Sequence, residues 1–322
     1  MIDKHFFEDC EEGVTTIDTG YHRPRMVASH LVIDAGRAAF IDAGTTHSVP
    51  RLLSVLADKG IATTAVDYVI VTHVHLDHAG GAGRLMQLLP NAQLVVHPRG
   101  ARHLIDPARL LEGTIEVYGA AKTQALYGEI PPVPAERVIQ ATDEYELELG
   151  QRRLLFIDTP GHAKHHFCVV DEEHRSIFTG DTFGLSYREF DTAQGTFIFP
   201  TTTPVQFDPG ALHASIKRLM DYAPEKIYLT HYGEIRDLVR LADDLHLLID
   251  SFVGLARETA HVEPEQRQAV LTQRLFETLW ARLQTHGVSL SAAVCHDLLA
   301  PDLALNAQGL ILWWDKTQAM VS

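Results

Sequence analysis

Six consecutive positions, His73-Val74-His75-Leu76-Asp77-His78, hold three imidazoles and a carboxylate. Nitrogen and oxygen donors of this kind suit zinc, iron or manganese. With no cysteine among them, they do not read as a closed structural zinc site. Three further segments end a short apolar run with a ligand-type residue. Leu155-Phe-Ile-Asp-Thr-Pro-Gly-His162 delivers a histidine after a tight turn, Ile177-Phe-Thr-Gly-Asp181 an aspartate, and Ile227-Tyr-Leu-Thr-His231 another histidine. Open sheets place their sites at strand ends in this way, because the sheet fixes the backbone while the following loop turns side chains toward one point.

The elements that position these residues are legible. Residues 27–33 and 38–41 read as paired strands, the second running into the polar turn Asp42-Ala-Gly-Thr-Thr46. Val49, Leu52, Leu53 and Leu56 have helical spacing, with Gly60 as a stop. The strand 66–71 then leads into the histidine cluster, a helix is expected over about 81–89, and 93–97 is a further strand. This is a β-α-β-α-β rhythm. Residues 98–135 interrupt it with short helices and loops. Strands resume at 138, 145–149, 154–158, 167–171 and 176–179, a helix follows at 211–222, and a strand at 226–230. Beyond about 238 the leucine spacing is helical, with a last helix expected over 289–299. The division expected is a catalytic domain over 1–238, with its helical insertion at 98–135, and a helical region over 239–322.

Composition narrows the function. A formal net charge of −15 argues against a nucleic-acid partner, since phosphate binding needs a basic surface. No apolar run reaches the ~18–20 residues of a membrane span. The acidic start Met1-Ile-Asp-Lys-His5 and its continuation lack the apolar stretch of a signal peptide. Three widely spaced cysteines, Cys10, Cys168 and Cys295, suit a reducing compartment. A cytoplasmic protein acting on a small molecule, as a homodimer, is the expectation.

Taken in order, Asp42, the Thr72–His78 segment, Thr159-Pro-Gly-His162, Gly180-Asp181 and Thr230-His231-Tyr-Gly233 resemble the metallo-β-lactamase-fold superfamily over about residues 27–233. The resemblance implies an α/β fold, a four-layer αβ/βα sandwich of two sheets flanked by helices, here with a C-terminal helical appendage. It also implies two divalent transition metal ions, zinc first, with iron or manganese as substitutes. His73, His75 and His162 would bind one, Asp77, His78 and His231 the other, and Asp181 both. Asp42 would hold a loop or a ligand imidazole in place. Two ions ~3.5–4 Å apart lower the pKa of a shared water toward ~7, so that a bridging hydroxide is the nucleophile and Asp77 carries a proton.

Within the superfamily the full histidine–aspartate set is similar to the glyoxalase II-like hydrolases, and a small ester, thioester or lactone is the expected substrate. Asp181 is followed by Thr182-Phe-Gly-Leu-Ser-Tyr-Arg-Glu-Phe190. That stretch lacks the glutathione-holding sequence of true glyoxalase II, and Gly184 stands where homoserine-lactone lactonases have tyrosine. Mononuclear iron persulfide dioxygenases, and ligand-binding or signalling proteins of this fold, share most of the motif and remain alternatives. His166 is expected to pack near the ligands, and Tyr187 and Tyr232 to contact substrate.

Overall fold

In a computed structural model that describes residues 6–320, two mixed sheets form the centre of the fold. The first has the order β1 (Phe7–Asp9), β2 (Val14–Asp18), β3 (Ala28–Asp34), β4 (Arg37–Ile41), β5 (Val66–Val71), β6 (Gln93–Val96), β7 (Val138–Gln140). Pairing is antiparallel from β1 to β4 and parallel from β4 to β7. The second sheet comprises β8 (Tyr145–Leu149), β9 (Arg152–Asp158), β10 (Phe167–Asp171), β11 (Ser176–Phe178), β12 (Lys226–Leu229) and β13 (Gly233–Ile235) in the order β13-β12-β11-β10-β9-β8. Only β11 and β12 run parallel there.

The helices are α1 (Val49–Asp58), α2 (Leu76–Ala79), α3 (Ala82–Leu88), α4 (Pro98–Ile105), α5 (Ala108–Tyr118), α6 (Ala120–Tyr127), α7 (Pro209–Asp221), α8 (Leu238–Glu258), α9 (Pro264–Thr285) and α10 (Ala292–Ala319).

Strand periodicity explains how the sheets are covered. Successive side chains of a strand point to opposite faces. Ala38 and Phe40 of β4, and Val69 and Val71 of β5, therefore join a core with Leu52, Leu56, Leu85 and Met86 of α1 and α3. Ala39, Ile41 and Ile70 face the other way, into a core shared with Phe156, Phe167, Val169 and Phe178 of the second sheet. Both faces of the first sheet are thus dry, which is why β5 reads as a nearly continuous apolar run.

By internal contacts the chain separates into two compact units. One comprises Met1–Asp158, His165–Gly180 and Tyr222–Ile235, and so contains both sheets and α1–α6. The other comprises Thr159–Lys164, Asp181–Asp221 and Arg236–Ser322, with α7–α10. Inside the second unit Leu241, Leu245, Leu248 and Phe252 of α8 and Leu271, Leu275, Leu279 and Leu283 of α9 are buried, and α8, α9 and α10 pack on one another.

The helix expected over 81–89 is α3, and the one-turn helix Leu76–Ala79 before it was not expected. The last helix does not stop near 299 but runs to Ala319 with Pro301 inside it. Buried Leu303, Ala307 and Leu310 continue its apolar face, so packing offsets the hydrogen bond that proline removes. Strands β1, β2 and β13 were not legible. β2, Val-Thr-Thr-Ile-Asp, has all five residues buried, its threonines satisfied by Asp9 and His30.

Two polar features of the first unit carry stability predictions. Arg152 and Asp171 are both buried and paired at 3.2 Å, with His174 Nδ1 also 2.9 Å from the carboxylate. Asp171→Ala strands the guanidinium and is expected to cost about 3–5 kcal/mol, read as a lower urea midpoint with unchanged slope.

His30 is fully buried, between Thr16 Oγ1 at 3.2 Å and the Leu229 carbonyl at 3.1 Å. Burial lowers its pKa from 6.5 to about 4, partly opposed by the Leu229 carbonyl and the Asp42 charge. The unfolded chain takes up this proton near pH 6.5, whereas the folded chain takes it up only near pH 4. Stability therefore falls as pH drops through that window. Between pH 7.5 and 5 His30 should account for about 2 kcal/mol of the loss. The loss should be correspondingly smaller in His30→Asn when unfolding is compared at the two pH values.

Candidate metal centre

β5 ends at Val71, and the chain turns out of the sheet through Thr72 and His73. His75 opens the one-turn helix α2, which sets Asp77 and His78 on successive positions; His78 is fully buried. The following glycine pair is required by crowding: a Cβ on Gly81 would lie 2.5 Å from the Ala43 carbonyl oxygen and 2.6 Å from that of Thr45. Around His73 the imidazoles crowd. Its ring centroid is 4.4 Å from that of His75, 4.1 Å from His78 and 5.0 Å from His166.

Asp42 organises this end of the first unit. It follows β4 with a positive φ of 56°, a conformation that aspartate tolerates better than most residues. Its carboxylate has no exposure. Oδ1 accepts from the Thr72 N–H at 2.8 Å, and the Thr72 hydroxyl lies 3.0 Å from both oxygens. Oδ2 accepts from the Thr230 hydroxyl at 2.7 Å and lies 2.7 Å from His78 Nδ1. One side chain thereby ties the ends of β4, β5 and β12 together and fixes one ligand-type imidazole.

His231 follows β12, and its Nδ1 lies 2.9 Å from the Met26 carbonyl oxygen. A carbonyl and a carboxylate only accept, so Nδ1 carries the proton on both His78 and His231. Both Nε2 atoms then present lone pairs, yet they face each other at 3.3 Å. Asp77 Oδ2 lies 3.5 Å from His231 Nε2 and 3.8 Å from His78 Nε2. Three electron-pair donors converging in this way call for a cation among them, and the two imidazoles and one carboxylate are borderline donors that suit zinc, iron or manganese. The residues present fit the metal implied by their types.

Asp77, His78 and His231, all in the first unit, meet the distance requirement for holding an ion: one donor atom per residue lies within 4.8 Å of the others. Of the remaining ligand-type residues, His73 and His75 belong to the first unit and His162 and Asp181 to the second. His162 Nε2 is 3.4 Å from Asp181 Oδ2, and the Thr203 hydroxyl lies 3.4 Å from His162 Nδ1. Gly180, immediately before Asp181, has φ +47°, and a Cβ there would come within 2.6 Å of His166 Nε2 and Thr72 Oγ1. His166 thus packs between His73 and the Gly180 turn. Its neighbour His165 lies with its ring centroid 5.9 Å from that of His75, and burial pushes its pKa down to about 3, so it is neutral at physiological pH.

Of the tyrosines singled out, Tyr187 is fully buried with its hydroxyl donating to Asp302 at 2.9 Å, and Tyr232 is 5% exposed. The insertion contributes Gln124, Glu129 and Pro131 to a cavity of ≈ 770 Å³, which Thr46, His47 and Arg84 also line. The roles of Thr72, Thr230 and the Met26 carbonyl escaped the sequence reading. A signal for the first two was present: Thr72-His73 and Thr230-His231 are the same dipeptide at two strand ends.

Comparison with known proteins agrees with this architecture. The metallo-beta-lactamase fold-containing protein ST1585 of Sulfurisphaera tokodaii is 28% identical over 214 residues, covering 62% of this chain and 77% of that protein. Its crystal structure superposes with a TM-score of 0.64 at 23% identity over 94% of this chain and 99% of that one, a likeness of fold. The acyl-coenzyme A thioesterase MBLAC2 of Gallus gallus is 30% identical over 169 residues, 47% of this chain but 55% of that protein. An atrochrysone carboxyl ACP thioesterase of Aspergillus fumigatus is 30% identical over 155 residues, 48% of this chain and 36% of that protein. The chain thus spans about half or less of the two thioesterases. The model of the Metallo-beta-lactamase superfamily matches residues 22–231, and by that match, which runs from the loop before Met26 to His231, this chain belongs to the metallo-beta-lactamase superfamily.

Proposed function

We propose that the protein is a dinuclear metal-dependent hydrolase of a small ester, thioester or lactone, with acyl thioesters the first class to test. The observation that carries this reading is the pair of facing Nε2 atoms beside Asp77, both imidazoles being held by hydrogen bonds at Nδ1. The thioester preference rests on the two thioesterases among the relatives. The histidine–aspartate motif resembles that of the glyoxalase II-like hydrolases, which supports a hydrolase within the superfamily.

In this reading, as the superfamily resemblance implies, His73, His75 and His162 would hold one ion, Asp77, His78 and His231 would hold the second, and Asp181 would offer its carboxylate to both. The ions, when bound, supply Lewis acidity and a water whose pKa falls toward ~7. The chain supplies the rest. Asp42 keeps the His78 ring in the tautomer that exposes Nε2, and the Met26 carbonyl does the same for His231. Asp77 takes the proton lost by the attacking water at a carboxylate oxygen and returns it to the leaving thiolate or alkoxide. No serine or cysteine nucleophile enters.

The test is elemental analysis of protein purified without added metal, followed by assays on acyl-thioester, ester and lactone panels. About two transition ions per chain and metal-dependent hydrolysis of one panel are expected. A single iron with oxygen-consuming turnover of a persulfide, and no hydrolysis, would replace this reading with the dioxygenase one.

A further inference from the structure

Outside the residues discussed so far, the second unit contains another converging set of imidazoles. α7 and α8 pack together, and His213 of α7 meets His246 of α8 with ring centroids 4.9 Å apart and planes 21° from parallel. Their Nδ1 atoms are 2.6 Å apart. On the other side of His213, Nε2 lies 3.2 Å from Asp250 Oδ1. His246 and Asp250 are four residues apart and share one face of α8, as do Asp243 and His246 three apart.

Asp250 accepts from His213 Nε2–H, which leaves a lone pair on His213 Nδ1 aimed at His246 Nδ1. A carboxylate behind an imidazole is the arrangement that orients histidines toward a metal. At this separation one of the two nitrogens must carry a proton toward the other, and without a metal it is His246 Nδ1 that donates to His213 Nδ1. A metal ion can take the place of that proton if His246 shifts it to Nε2, so no net proton is lost. Burial and the neighbouring His213 hold the His246 imidazole below its usual pKa, partly opposed by Asp243 and Asp250, so the ring offers a neutral nitrogen beside two carboxylates. The nearby cation on α7, Lys217, is paired with Asp221 at 2.8 Å. Both histidines are only partly buried, so water can complete the coordination sphere.

We propose that His213 and His246, with Asp250 holding His213, form an accessory site for a divalent transition ion that favours imidazole, such as Cu²⁺, Ni²⁺ or Zn²⁺. The ion would staple α7 to α8. The proposal is independent of the hydrolase reading, since none of its residues belongs to the ligand groups of that reading.

The full chain, loaded with zinc and freed of excess, is titrated with Cu²⁺ and followed by electron paramagnetic resonance. The wild type is expected to take up about one further Cu²⁺ whose spectrum shows coupling to imidazole nitrogens. His213→Gln and His246→Gln should each weaken that uptake at least ~10-fold, and Asp250→Ala by ~10-fold through the lost orientation of His213. Circular dichroism and zinc content check that each variant folds and keeps its other metal. Absence of the extra Cu²⁺ in the wild type, meaning a shared proton only, overturns the proposal. So does equal uptake by folded His213→Gln and His246→Gln.

Discussion

Asp42→Ala is expected to lose metal from the group containing His78 and to lower hydrolysis by ~10–100-fold, although Asp42 is not itself among the proposed ligands. Its carboxylate fixes the His78 ring while gathering Thr72 and Thr230. Removing an orienting partner of a metal-binding histidine costs 10–100-fold in affinity or activity. Here it also leaves the Thr72 N–H and two hydroxyls buried without their acceptor, which adds about 2–3 kcal/mol of destabilisation. Asp42→Asn separates the two effects. Its amide oxygen can still accept from Thr72, but its NH₂ then faces His78 Nδ1 and favours the tautomer with the proton on Nε2, where the ion should bind. The expected variant folds nearly as stably as wild type and retains less metal. Elemental analysis beside a urea titration makes the comparison. Full metal occupancy in folded Asp42→Asn would show that the tautomer is not controlled from this carboxylate.

Chelation is expected to produce the second large effect. If the proposed ion lies among His78 Nε2, His231 Nε2 and Asp77, which stand within 3.3–3.8 Å of one another, its removal would leave these donors facing one another uncompensated. Activity should vanish and return on adding zinc. Stability should fall as well, because an ion present at 1,000 times its dissociation constant stabilises the folded chain by about 4 kcal/mol. Calorimetry of the chelated and reconstituted protein reads this as a drop and recovery of Tm. Reconstitution should be less complete at lower pH, since imidazoles must be unprotonated to bind. An unchanged Tm and undiminished activity after verified metal loss would contradict the metal-dependent reading.

The sequence alone carried much of the fold. Apolar runs ending in His73, His162, Asp181 and His231 marked strands β5, β9, β11 and β12, because a strand buried on both faces must be continuously apolar. Leucine spacing identified α8 and α9, because a helix must present one stripe to its neighbours. The family match, over residues 22–231, spans all four of these positions. Local pattern failed where burial was set from elsewhere. β2 is polar in composition but buried, since Asp9 and His30 satisfy its threonines. α10 passes through Pro301 because its later face packs with α8 and α9.

What the sequence determined by itself, then, is which donors exist and that each stands at a strand end, because residue type and strand period are local properties. Which nitrogen of His78 and of His231 is available could not be read from the chain. That choice depends on Asp42 lying 36 positions before His78 and on Met26 lying 205 positions before His231. A tautomer is set by the group on the ring's far side, and the fold alone brings that group there.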